Sequence, residues 1–307
     1  MAEHDSPTLA RRRVRVALRE FRDKADKTQQ QVADEMEWSL SKVIRIENGD
    51  VSIAPNDLRP LLNFLQVKDR ARITELVEDA KVARTRQRQA WYQKTEYRNH
   101  LTGPLLRLIE FEAEANFIHS YSVFHLPGPL QIREYSTALI ETWSEEIEPD
   151  QIKFRLAARK LRHEAVVARA GSLRITALLD ESVFRRPVGG STVLKSQLQE
   201  LLRMSGLGLL RIRVLRFDAE VPMSYNAGFD ILFLGADGDL SNAVMYRETG
   251  TTDEILEDVA IGKANASGPP PLGPVARHYD RYQKLWNAAD SEDDTIAFIE
   301  RRIRELG

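Results

Sequence analysis

Residues 28–49, TQQQVADEMEWSLSKVIRIENG, constrain this chain more than any other stretch. Thr28 is a good N-cap, and Gln31 three residues on completes the pattern of a capping box. The run 29–36 carries Val32, Ala33 and Met36 at helical spacing. Glu37, Trp38 and Ser39 break that run. Ser39 is a second N-cap, opening a helix over 40–48, and Gly49 just beyond it is a natural stop. Val32, Met36, Trp38, Val43 and Ile46 can converge between the two helices, with small Ala33 at their closest crossing. Leu40, Ser41, Lys42 and Arg45 are left facing outward. A helix that enters a DNA groove has this build: apolar residues fasten it to a scaffold, and its leading residues reach base edges. An ordinary helical hairpin is the competing reading; the coincidence of two caps, a small residue and five apolar positions argues against it.

The segment resembles the Cro/CI-type (XRE) helix-turn-helix family, in which five helices make a small DNA-binding domain. Carried over residue by residue, the resemblance implies that Leu40, Ser41, Lys42 and Arg45 face the major groove. Ser41, Lys42 and Arg45 would carry base readout. Thr28, Gln29 and the first-helix residues Arg11 and Arg15 would lie at phosphates, or Gln29 would instead help to position the second helix. Gln30 and Ser39 complete the expected DNA-binding set. There are two departures. Relatives usually have Gly where this chain has Glu37, and a side chain at positive φ there costs about 1 kcal/mol. Leu40 is apolar where many relatives carry a polar base reader, which suits a thymine methyl.

With 307 residues, the chain should hold about two domains. It has no Cys, which excludes disulfides, thiolate zinc sites and Cys nucleophiles. No apolar run approaches the ~18 residues of a membrane span, and the N-terminus lacks the apolar stretch of a signal peptide. A cytoplasmic, nucleoid-associated protein is expected. A net charge of −2 predicts little by itself, so distribution matters more. Arg11, Arg12, Arg13, Arg15, Arg19 and Arg22 crowd the first helix, and Lys81, Arg84, Arg86, Arg88, Lys94 and Arg98 come after the motif. Such runs grip phosphates or form solvated faces; the first can also pair with Asp23, Glu35 or Glu47.

Helical periodicity predicts a helix over 9–25, another over 55–67 with Pro60 tolerated in its first turn, and a third over 69–78. Residues 1–80 then form an all-α five-helix domain. Residues 81–102 read as a basic helical linker, with Trp91, Tyr92 and Tyr97 docking it onto the next domain; duplex DNA offers no free base faces for them to stack on. Residues 103–307 read as a larger α+β domain, making the whole chain α+β. Helices are expected over 104–124, 132–143, 149–169, 193–204, 275–287 and 291–306. Strands are expected over 172–179, 209–217, 229–234 and 243–248, with a Pro/Gly turn at 125–131 and a Pro/Gly loop at 265–274. Ile296, Ile299, Ile303 and Leu306 form a stripe that is either core or a dimer seam.

Residues 125–140 (HLPGPLQIREYSTALI), 159–166 (RKLRHEAV), 178–202 (LLDESVFRRPVGGSTVLKSQLQELL), 213–217 (RVLRF), 227–232 (AGFDIL) and 244–248 (VMYRE) resemble the C-terminal domain of actinobacterial WhiJ-type regulators. Pro129, His163 and Arg216 depart from the residues more usual there. The resemblance implies a regulator whose second domain receives a ligand or a small partner protein encoded nearby; some such pairs are antitoxin-like. Arg155, Arg159 and Arg162 share a helix face that could receive an acidic partner or pair with acids of its own domain. Asp180 and Glu181 with Arg185 read as a helix cap and an i, i+4 ion pair rather than a catalytic cluster. No hydrolase, Walker or Rossmann motif is present, and none of His119, His125 and His163 has a carboxylate or second His at ligating spacing, so no catalytic residue, metal or cofactor is expected. The expected function is a sequence-specific transcriptional regulator that binds a double-stranded DNA operator as a homodimer, most simply as a repressor. The alternative is an antitoxin-like protein that holds a small toxin and regulates its own operon.

Overall fold

The structure is a computed structural model that describes residues 6–85, 90–142, 145–146, 148–221, 228–248, 252–257 and 273–307. Arg86, Arg88, Trp143, Ala227 and the 265–272 part of the expected loop lie outside the described residues. Contacts divide the chain into two units, residues 1–89 with 259–273, and residues 90–258 with 274–307.

The described part of the first unit holds five helices: α1 (Pro7–Lys24), α2 (Gln29–Glu35), α3 (Leu40–Asn48), α4 (Pro55–Phe64) and α5 (Arg70–Val82). Four of their starts are set by side-chain caps, and α4 opens instead on Pro55. Thr28 Oγ1 accepts from Gln31 N at 3.1 Å while Gln31 Oε1 accepts from Thr28 N at 2.9 Å, the reciprocal capping box. Ser39 Oγ caps α3 through Lys42 N at 3.2 Å, and Asp69 caps α5. The ends of α1 to α4 share one device. Lys27 N, Trp38 N, Asp50 N and Val67 N each reach back five residues to a helical carbonyl, through a residue at positive φ: Asp26 (53°), Glu37 (53°), Gly49 (81°) and Gln66 (58°). Only one of these four is Gly. Glu37→Gly is therefore expected to stabilise the first unit by about 0.5–1 kcal/mol, the relief of Cβ strain less the entropy Gly adds to the unfolded chain. Increased hydrogen-exchange protection in α2 and α3 would report it; unchanged protection would show that the turn carries no strain.

Val14, Leu18, Val32, Ala33, Val43, Ile46, Leu58, Leu62, Leu76 and Val77 make the core of this unit. Ala33 is wholly buried. Pro60 is a correction: α4 begins at Pro55, so Pro60 lies in its second turn. It is exposed there, which leaves the Asn56 carbonyl it cannot bond open to water.

The second unit is built on a six-stranded sheet of order β3-β2-β1-β4-β5-β6, with β1 (Phe117–Ser122), β2 (Arg174–Asp180), β3 (Leu210–Leu215), β4 (Phe229–Phe233), β5 (Ala243–Glu248) and β6 (Asp253–Leu256). β1, β2 and β3 are parallel; β4, β5 and β6 continue antiparallel. The expected helix over 104–124 is corrected. The helix α7 (Gly103–Glu114) stops early, and residues 117–122 become the central strand. From Ile118 to Ser122 every residue is buried, because helices cover both faces of the sheet. On one side Ile118, Ile175, Val214 and Val244 pack with residues of α11 (Ser191–Gly206) and α13 (Glu292–Glu305). On the other, Tyr121, Leu178, Ile231 and Met245 pack with α12 (Pro274–Ala288). A strand buried on both faces shows no alternation to read. The short β6 is an addition to the expected strands.

The remaining helices are α6 (Thr95–His100), α8 (Arg133–Glu141), α9 (Pro149–Ala168) and α10 (Glu181–Arg185). Trp91, Tyr92 and Tyr97 sit in this unit. Tyr92 is buried beside Leu101, Ile109 and Ala158, and Tyr97 meets Phe154 edge-on at 5.5 Å. Ile299 is buried, with Ile303 and Leu306 packed on the same core as Phe298. Asp180 Oδ1 caps α10 through Ser182 N at 2.9 Å, and Glu181 pairs with Arg185 at 2.6 Å.

Candidate nucleic-acid interface

The inward face of α3 is fixed by apolar packing of Val43 and Ile46 and by one buried carboxylate. Glu47 accepts from Arg22 through Nε at 2.7 Å and Nη2 at 3.1 Å, and from Gln29 Nε2 at 2.8 Å. Arg22 also donates to Asp23 and to the Lys27 carbonyl. The hydrogen bond to Glu47 raises the Arg22 pKa against the opposing effect of burial. This cluster joins α1, α2 and α3, so the only α3 side chain carrying negative charge is turned inward. Sequence reasoning named Glu47 merely as one possible arginine partner; its central role depends on distant neighbours.

The outward face is open. Ser39, Leu40, Ser41 and Arg45 are exposed. Lys42 is half-buried, its Nζ 3.7 Å from the Trp38 ring centroid and 3.7 Å from Asp57 Oδ2. It leans back on the scaffold rather than standing beside Ser41. Thr28 and Gln30 are exposed at the start of α2, where Gln30 donates to Asp34 at 2.7 Å. Gln29 points to Glu47, the positioning role of its two expected alternatives.

The arginines of α1 are largely committed within the unit. Arg13 forks onto Asp79 at 2.6 and 3.0 Å, Arg19 donates to Asn48 at 3.0 Å, and Arg11 Nε donates to Ser52 at 3.2 Å. Arg15 is buried, so the structure places it off the surface that phosphates would approach. It packs over Gly49, where an added Cβ would come within 3.1 Å of its Nε. Residue order alone cannot separate structural arginines such as Arg13 and Arg19 from phosphate contacts, because their partners lie 29 to 66 residues away.

Residues 13–76, which contain α2, α3 and the cluster of Arg22, Gln29 and Glu47, match the family described as a helix-turn-helix domain. DNA binding, with a role in transcription regulation, is the coarse function that match carries. Residues 105–268, more than half of the chain, match the domain of unknown function DUF5753. The chain belongs to the DUF5753 family. No curated protein and no solved structure matches this DUF5753 protein. No helix among its described residues is long and apolar enough to cross a membrane.

Within the DUF5753 region the three arginines of α9 separate. Arg162 is a correction: it is buried and forks onto Glu112 of α7, Nε to Oε2 at 2.8 Å and Nη2 to Oε1 at 2.6 Å. It cannot meet an acidic partner without abandoning that carboxylate. Gly128 makes room for it, since a Cβ there would lie 2.8 Å from Arg162 Nη1. Arg159 differs. Its Nε is buried with no hydrogen-bond partner among the described residues, and burial, aided by the charges of Arg162 and Arg155, brings its pKa down to about 10. Arg155 is half-buried one turn away.

Proposed function

We propose that this protein is a sequence-specific transcriptional repressor of the XRE type with a WhiJ-like C-terminal region. Residues 1–80 form the DNA-binding domain, 81–102 the linker, and 103–307 the receiving and dimerising domain. The observation that carries the reading is the exposure of Leu40, Ser41 and Arg45 on a helix whose opposite face is locked by Glu47 and the apolar core. A rigid helix with an open leading end suits the major groove, and a homodimer would span half-sites about 34 Å apart or a multiple of that. Ser41, Lys42 and Arg45 read bases. Thr28, Gln30, Ser39 and Arg11 contact phosphates, and Gln29 positions α3. Lys42 reaches the bases only by leaving Trp38, which costs it a cation–π contact of about 0.5–1 kcal/mol.

A partner protein or ligand shifts DNA affinity by binding one arrangement of the chain better than another. Arg155 and Arg159 are the residues we assign to its acidic groups. The carboxylate of such a partner would accept from Arg159 Nε and add to the partial offset of its charge by Glu248.

Enrichment from a random duplex library with the full-length protein tests the central reading, which predicts a two-fold symmetric consensus. Against that consensus, Arg45→Ala is expected to cost about 1–3 kcal/mol and to relax selection at one position of each half-site. Unchanged discrimination by Arg45→Ala at fixed salt would remove Arg45 from the readout. Failure to enrich any sequence would sink the function.

A further inference from the structure

Five large apolar side chains are exposed among the described residues, and two of them, Leu40 (39%) and Ile44 (36%), stand one turn apart on α3. Their spacing puts them side by side on the outward face, next to Ser41 and Arg45. The inward apolar residues of the same helix, Val43 and Ile46, are 3% and 4% exposed, so the helix has an apolar pair beyond what its packing uses.

We infer that Leu40 and Ile44 form a paired contact for the C5-methyl groups of thymines, so that the protein's base discrimination has an apolar part beside the polar one. This rests on the DNA-binding reading and adds to it the kind of base edge that is read. Three features favour a groove floor over a protein surface as the occupant. Arg45 lies beside the pair. The helix's one carboxylate, Glu47, is withdrawn into the unit, so no anion on α3 opposes phosphate. The pair also sits on the exposed face of the second helix of a matched helix-turn-helix domain. The thymine methyl is the one apolar group that the major-groove edges of the bases present. Two branched side chains at i and i+4 can cover the methyls of neighbouring base steps.

The size of the effect is set by the area buried. A methyl removed from water contributes about as much as one buried methylene, which is about fourfold in Kd.

The test uses the full-length protein and the consensus duplex enriched from the random library, at fixed salt. Each thymine is replaced in turn by deoxyuridine, which removes the methyl and leaves the hydrogen-bonding edge intact. One or two positions in each half-site are expected to weaken binding about fourfold each. Leu40→Ala with Ile44→Ala is expected to bind the thymine and uracil duplexes alike; both residues are exposed, so the variant should keep its circular dichroism and melting. Equal wild-type affinity for the two duplexes, with Arg45→Ala still relaxing selection, overturns this inference and leaves the DNA reading standing. A library that enriches nothing overturns both. If the double variant keeps the uracil penalty and changes the sedimentation of the free protein instead, the pair belongs to a protein contact and the inference is wrong.

Discussion

Arg162→Ala is expected to destabilise the C-terminal region by about 3–5 kcal/mol, the range for breaking one side of a buried ion pair. Arg162 and Glu112 are 8% and 7% exposed and share two hydrogen bonds across α9 and α7. Burial alone would lower the arginine pKa, and Glu112, with smaller help from Tyr246 and Asp230, more than reverses that, holding it above its ordinary value. Removing the guanidinium strands a carboxylate in a site with few alternatives. Replacing both partners tests the argument. Arg162→Met with Glu112→Leu leaves no orphaned charge and should cost little, so the two single losses should not add. Gly128 gives a second handle. Gly128→Ala drives a methyl into Nη1 in the parent protein, and that cost should largely vanish once Arg162 is Met. Denaturant unfolding combined with hydrogen exchange over α7 and α9 would report all of these variants. Additive losses, or a single-variant cost below about 1 kcal/mol, would mean that the pair is solvated and of no structural weight.

The features legible in the sequence are local. The capping box at Thr28 and Gln31, the Ser39 cap and the Gly49 stop are each decided within four or five residues, and each is readable from residue type and spacing; the positive φ at Glu37 is implied only by the family resemblance. Strands β2 to β5 are readable because they are rich in branched and aromatic residues. The central strand β1 is not. Its sequence, FIHSYS, has polar residues at alternate and adjacent positions, and both faces are covered, so it offers neither alternation nor an apolar run. The candidate site divides in the same way. Leu40, Ser41 and Arg45 are set by the helix period. Ile44 carries the same signal, an i, i+4 relation to Leu40, but Val43 and Ile46 already account for the apolar stripe and hide it. The fates of Arg13, Arg15, Arg22 and Arg162 are not decided by the sequence, which offers Glu47 and Asp23 only as two of several partners for the first-helix arginines and leaves Arg162 between two alternatives. Whether an arginine meets a carboxylate or stays open depends on tertiary neighbours that residue order does not supply, and here Asp79, Glu47 and Glu112 decide three of the four.

Glu47→Ala is expected to remove about 3 kcal/mol from the first unit and to lower DNA affinity by more than the unfolded fraction explains. The carboxylate is 5% exposed and receives three hydrogen bonds, two from Arg22 and one from Gln29. Losing it leaves Arg22 largely buried with only Asp23 as counter-ion, which places the cost at the low end of the range for a broken buried pair. Gln29→Ala removes a single hydrogen bond while Arg22 still satisfies Glu47, so about 1 kcal/mol is expected from it. The excess loss of affinity has a geometric cause. Glu47 is the buried polar link by which α1 and α2 set the angle of α3, with the exposed Arg19–Asn48 hydrogen bond a weaker second tie, and base contacts tolerate little misplacement. Unfolding and hydrogen exchange in α3, with duplex binding measured well below the melting temperature, separate the two effects. A Glu47→Ala protein that stays folded and binds its duplex as tightly as the parent would show that apolar packing by Val43 and Ile46 orients α3 unaided.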